Sequence, residues 1–134
     1  MPNIRRRSRG DRRKVEREIN GKDRRSETPP DLEIKTQVRE STLLVWVENA
    51  MIGMNCYSLR VAIQKALRDT DVQRVIINME KVPYADTAGI GLLATLQREL
   101  MKENRKIILY RVIPRLKEII AIMNLDTFFE IRDH

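Results

Sequence analysis

Apolar positions alternate with polar ones over residues 32–38, where Leu32, Ile34, Thr36 and Val38 share one side of an extended chain. A period of two predicts an outer strand. Residues 43–47 (Leu-Leu-Val-Trp-Val) form an unbroken apolar run, and residues 75–77 and 107–110 look the same. Such runs predict strands covered on both faces. Between them the period lengthens. Leu59, Ala62, Ile63, Ala66 and Leu67 follow the spacing of a helix with one apolar stripe. Ile90, Leu93, Leu96 and Leu100 predict a second helix, and Leu116, Ile119, Ile120 and Met123 a third, with Pro114 placed where a first helical turn accepts it. Residues 128–131 read as a short last strand or a helix end. The order is β-β-α-β-α-β-α-(β), which implies a mixed sheet with crossover helices.

This pattern begins only after Thr28-Pro29-Pro30-Asp31, which reads as a linker that stops any helix. The chain therefore divides into a 1–31 extension and a 32–134 domain. Residues 1–30 hold 11 Lys/Arg and 5 Asp/Glu, whereas residues 31–134 hold 15 and 14. The net charge of +7 thus belongs almost wholly to the extension. Ile4, Val15 and Ile19 are its sizeable aliphatic side chains, too few to offset its ordering entropy alone. Val15 and Ile19 stand four apart, so residues 11–20 suit one or two helical turns against a partner. The extension is a candidate for nucleic acid or an acidic membrane surface. It has no aromatic residue for base stacking, and acids interrupt its basic residues. A solvated, disordered or partner-docking extension is the expectation, and nucleic acid is not the expected partner.

With one cysteine, Cys56, and one histidine, His134, the 134 residues offer almost no material for metal cages or catalytic triads. No run approaches the ~18–20 apolar residues of a membrane span, and no hydrophobic segment follows the N-terminal arginines, so neither membrane insertion nor secretion is expected. A cytoplasmic setting is the expectation. Cys56 and Trp46 read as packed residues, whereas Met51 and Met54 are candidates for an adaptable contact surface.

The informative stretch is residues 82–93, Val-Pro-Tyr-Ala-Asp-Thr-Ala-Gly-Ile-Gly-Leu-Leu. It follows a strand and opens a helix, so Asp86 and Thr87 fall at a helix N-terminus, where free N–H groups and the dipole favour negative charge. The plain reading is a helix cap. The sharper one makes Thr87 a phosphoacceptor, since a phosphate of about −1.5 to −2 charges there alters the surface without unfolding the domain. Gly89 and Gly91 leave little bulk, which suits close approach by another protein. Gly89-Ile90-Gly91-Leu92-Leu93-Ala94 also fits a dinucleotide pattern. Ten residues separate Asn78 from Gly89, however, and Tyr110-Arg111 stand where the ribose-binding acid belongs. No cofactor is expected beyond a weak nucleotide contact at the helix start near Thr87.

Taken together, the strand before residue 82, the Asp-Thr-Ala-Gly-Ile-Gly element, the strand from Lys106 to Tyr110, Pro114-Arg115-Leu116 and the closing Met123-Asn124-Leu125-Asp126-Thr127-Phe128-Phe129 resemble a STAS domain. The resemblance implies an α/β fold, a STAS-like mixed β-sheet of about four to five strands with about three to four helices, as a single domain carrying the basic extension. It implies an anti-sigma-factor antagonist: no enzyme, but a regulatory module that binds an anti-sigma factor with serine-kinase activity and is reset by a serine/threonine phosphatase. Carried over, Thr87 is the phosphoacceptor and Asp86 the preceding acid, and Asn55 matches an Asn near the first helix. Tyr84, Asp86, Ala88, Gly89, Gly91, Met51, Met54 and Asn55 would form the partner-binding surface. STAS subunits of lipid-transport ABC complexes carry a similar element, so an ABC ATPase subunit is the alternative partner. This chain has Thr where the family commonly has Ser.

Overall fold

The computed structural model describes residues 31–133. The 1–30 extension, with its expected helical turn, and His134 lie outside the described residues.

Strand β1 (Glu33–Arg39) turns through Glu40 and Ser41 into β2 (Thr42–Glu48), and the two pair antiparallel with Arg39 opposite Thr42. Glu40 sits in the left-handed region at φ 57°, which lets two residues reverse the chain. A 3₁₀ turn (Gly53–Cys56) leads into α1 (Tyr57–Leu67), followed by β3 (Arg74–Lys81), α2 (Thr87–Met101), β4 (Lys106–Tyr110), α3 (Pro114–Ile122) and β5 (Glu130–Arg132). The five strands form one sheet in the order β1-β2-β3-β4-β5, parallel from β2 onward. The expected order of elements is therefore the observed one; of residues 128–131, Phe128 and Phe129 lie in a turn, and the last strand begins at Glu130.

Hydrophobic burial drives this arrangement. Leu43, Val45 and Val47 of β2, Val75, Ile77 and Met79 of β3, and Ile107 and Leu109 of β4 point to one side. There they join Leu59, Ile63 and Leu67 of α1, Ile90, Leu93, Leu96 and Leu100 of α2, and Leu116 and Ile120 of α3 in one core. Each is nearly or wholly shielded, worth about 1.5–3 kcal/mol apiece. Arg60 of α1 and Glu99 of α2 pair at 2.6 Å across the outer side of the helices.

The other side of the sheet departs from expectation. The apolar runs predict strands covered on both faces, and of the outward positions Ile108 is buried, yet Trp46 is 39% exposed and Leu44, Ile76 and Tyr110 are half-buried. Among the described residues, no element packs over them. Among the described residues the runs are unbroken because outward positions are also apolar, not because a second helical layer is present.

Candidate functional site

The site is built from the two loops that leave β2 and β3 at the same end of the sheet. Beyond β3, Ala85 forms a parallel bridge with Met51. The Met51 N–H donates to the Tyr84 carbonyl at 2.9 Å, and the Asp86 N–H donates to the Met51 carbonyl at 3.1 Å. Asn55 shapes the other loop from within. Its Oδ1 accepts from the Ile52 N–H at 3.0 Å and its Nδ2 donates to the Ala50 carbonyl at 2.9 Å.

Asp86 joins the two. It is the N-cap of α2, with extended backbone, and its Oδ1 accepts from the Gly89 N–H at 2.7 Å and from the Gly53 N–H at 3.1 Å. The first bond satisfies one of the free donors at the helix start. The second crosses 33 residues of sequence and fixes the Gly53 turn against the helix. One carboxylate oxygen thus holds both loops, in charge-assisted hydrogen bonds stronger than neutral ones.

Thr87 follows as the first helical residue. Its side chain is exposed, as is that of Ala88. The Thr87 hydroxyl has no hydrogen-bond partner among the described residues. Met54 (86% exposed), Tyr57 and Tyr84 add large exposed side chains on the same two loops and the start of α1. The sequence reading does not single out Tyr57 or Gly53. An aromatic at the mouth of a helix is a weak signal, and the bond from Gly53 to a distant carboxylate is invisible in the chain.

Three expected surface residues need correction. Met51 is fully buried, so it cannot form part of an adaptable contact surface; it is a core residue whose backbone ties the loops. Asn55 is buried and holds its loop from beneath. Gly89 is buried too, and its lack of a side chain serves the chain's own packing: a Cβ there would lie 2.6 Å from the Met51 carbonyl oxygen. Gly91 has nothing within 4 Å of such a Cβ. Met54, Tyr84 and Ala88 remain as exposed side chains around Thr87.

Cys56 lies under this site, fully buried. Burial first, then the charge of Asp86, push its thiol from 9.0 up to about 11, so it stays protonated and unreactive at neutral pH. Among the described residues no group of three or more His, Cys, Asp or Glu could hold a metal ion, and no helix is long and apolar enough to cross a membrane.

The model of the STAS domain family matches residues 33–134. The fold is similar to the anti-sigma factor antagonist SpoIIAA of Bacillus in its unphosphorylated form, at 19% identity and a TM-score of 0.59, covering 77% of this chain and 87% of that one. SpoIIAA has also been solved in a phosphorylated form. An anti-sigma factor antagonist from Mycobacterium paratuberculosis is similar at 19% identity and a TM-score of 0.68, over 80% of this chain and 90% of its own. The murine Solute Carrier 26 family member A9 anion transporter shares the fold at 23% identity and a TM-score of 0.58, over 64% of this chain but 14% of the transporter. At these identities the likenesses are of fold.

Proposed function

Since this chain belongs to the STAS domain family, we propose that it is a regulatory protein-binding module, an anti-sigma-factor antagonist whose binding is switched by phosphorylation of Thr87. A partner serine/threonine kinase, acting also as the anti-sigma factor, adds the phosphate, and a phosphatase removes it. The observation that carries this reading is an exposed threonine hydroxyl with no partner among the described residues, directly after a cap that holds both loops. A phosphate of about −1.5 to −2 charges at that point meets the positive end of α2, so the domain tolerates it. The surface around it, with Met54, Tyr57, Tyr84 and Ala88, is apolar or neutral. A partner packed on that surface would have to desolvate the new charge, and binding falls. The similar protein SpoIIAA occurs in both an unphosphorylated and a phosphorylated form, which supports the same reading here.

The test is to incubate the chain with its cognate kinase and ATP and map the phosphate by mass spectrometry. Phosphate on Thr87, with loss of kinase binding, is the expected result. Absence of label on Thr87, or equal labelling of Thr87→Ala, overturns the proposal. The likeness to the Solute Carrier 26 anion transporter favours a second reading, a docking domain for a transport assembly such as the ATPase of an ABC complex. That reading predicts co-purification with a transport ATPase regardless of the state of Thr87.

A further inference from the structure

The side of the sheet away from the helices is open among the described residues, and its outward positions fall into rows across the strands. Strand register sets Arg39 beside Thr42, Thr42 beside Arg74 and Arg74 beside Lys106, a basic border at one end. At the other end Glu33 is the register partner of Glu48, and Glu80 stands with them around one hollow. Glu40 in the first turn and Lys81 at the end of β3 each oppose their border, one charge against three. Between the borders lie a row of Leu44, Ile76 and Ile108 and a row of Trp46, Asn78 and Tyr110, around a hollow of about 320 Å³.

Cations and acids are nearly equal in number over this face, so it selects neither a strongly acidic nor a strongly basic partner. The two signs are separated, however, with apolar side chains between them. A surface ordered in this way is complementary to itself turned end for end.

We propose that this face binds a second copy of the chain, the two sheets stacked about 10 Å apart with their strands antiparallel about a two-fold axis. This inference does not depend on the Thr87 switch. In that pairing each strand lies over the same strand of the second copy, reversed. Arg39 then meets Glu33 of the second copy and Arg74 meets its Glu80, while Trp46 covers Leu44 and Tyr110 covers Ile108. Every such contact occurs twice. The other two-fold arrangement, with strands parallel, sets Glu80 on Glu80 and Arg74 on Arg74, so charge chooses between the two. Stacked sheets cross at about 30°, which displaces the borders by only ~5 Å, within reach of an arginine side chain.

The single copy leaves this face wanting. Parallel sheets occur almost only with both faces covered, and three of the four strand pairings here are parallel. Glu33 and Glu48 oppose each other as like charges, which is destabilising. Among the described residues neither they nor Arg39 and Arg74 form an ion pair, whereas Lys106 is held by Glu130 at 2.8 Å and Glu80 by Arg111 at 3.3 Å. The face measures ~19 Å by ~20 Å, about half of the ~800 Å² that each partner contributes to a stable complex. The dimer is therefore weak and forms as concentration rises.

Trp46, the single tryptophan, stands in the middle of the face and reports on it. The experiment follows mass by sedimentation velocity and Trp46 emission in the full-length chain from about 1 μM to about 1 mM. It repeats both for R39E/R74E, for E33K/E80K and for their equimolar mixture, with circular dichroism as the check on folding. The expected result is a doubling of mass with blue-shifted emission in the unaltered chain, and association weakened about tenfold or more in each variant alone. The mixture should associate again, because one face then carries acid at both borders and the other carries base. Should either double variant fail to fold, Trp46→Glu alone should also remain monomeric. A chain that stays monomeric throughout, a dimer that both variants keep, or no recovery on mixing overturns the proposal. So does Trp46 emission already blue-shifted in the monomer and unchanged by concentration, which would make the chain's own N-terminal residues the cover.

Discussion

Gly89 and Gly91 lie two residues apart in α2, and the same substitution should act on them with opposite sign. In a helix interior, replacing glycine by alanine relieves about 0.8–1 kcal/mol of backbone cost. At Gly91 nothing lies within 4 Å of the added methyl. Gly91→Ala should therefore stabilise the protein by about 0.5–1 kcal/mol, raising Tm by ~2–8 °C for a domain of this size. At Gly89 the methyl would lie 2.6 Å from the Met51 carbonyl oxygen and 3.3 Å from Asp86 Oδ1. The first is backbone, and the second is held by hydrogen bonds from the Gly53 and Gly89 N–H groups, so neither swings away freely. The carbonyl also accepts the Asp86 N–H at 3.1 Å, so moving it weakens a second contact. Overpacking of this kind costs about 1–3 kcal/mol, and the strained hydrogen bond adds about 0.5–1.5 kcal/mol. After the helix gain is subtracted, Gly89→Ala should destabilise by about 1–3 kcal/mol. Urea unfolding of the two variants beside the unaltered chain measures both effects as midpoint shifts at constant m-value. If Gly89→Ala proves as stable as Gly91→Ala, the contact between the two loops is not as tight as described, and the reasoning about how the site is held fails.

Two further outcomes follow from buried polar groups. Gln97 is buried on α2, where its Oε1 accepts from the Ile107 N–H at 2.8 Å and its Nε2 donates to the Phe128 carbonyl at 3.2 Å. Gln97→Leu leaves both backbone groups without partners, and the expected loss is about 2–4 kcal/mol, with faster hydrogen exchange at the Ile107 amide as the local readout; unchanged exchange there would count against it. Cys56 is held neutral up to about 11, against 9.0 when unperturbed. Between those values the unfolded thiol releases its proton and the folded one keeps it, so the unfolded state binds fewer protons and stability falls as pH rises. Cys56→Ala should flatten that decline between pH 9 and 11, and the native thiol should alkylate slowly at pH 8; an unaltered slope in the variant would contradict the assignment.

Much of the architecture was legible because burial imposes its period on the chain. Leu59, Ile63 and Leu67, and likewise Ile90, Leu93 and Leu100, mark their helices by spacing alone. The open face was not legible. Leu44, Trp46 and Ile76 continue the apolar runs on the outward side, and a run without alternation reads the same whether one face is covered or two. The cap at Asp86 could be placed from its position before a helix, but its bond to Gly53 joins segments that only the fold brings together. Met51 was misread because a methionine in a loop carries no sign of whether its side chain turns inward. Gln97 interrupts an otherwise apolar stripe, which is the one trace the sequence carries of its bridging role.

The borders of the sheet have their own consequence. At one border β1 presents Lys35 and Arg39 along an otherwise well-formed seven-residue ribbon, and charges of this kind discourage a foreign strand from aligning there. At the other, β5 offers only three residues. A misfolded or crowded neighbour looking for a template to extend would find repulsion on one flank and too few rungs on the other, so the protein is guarded against fibre-like stacking by how its outermost strands are cut and charged.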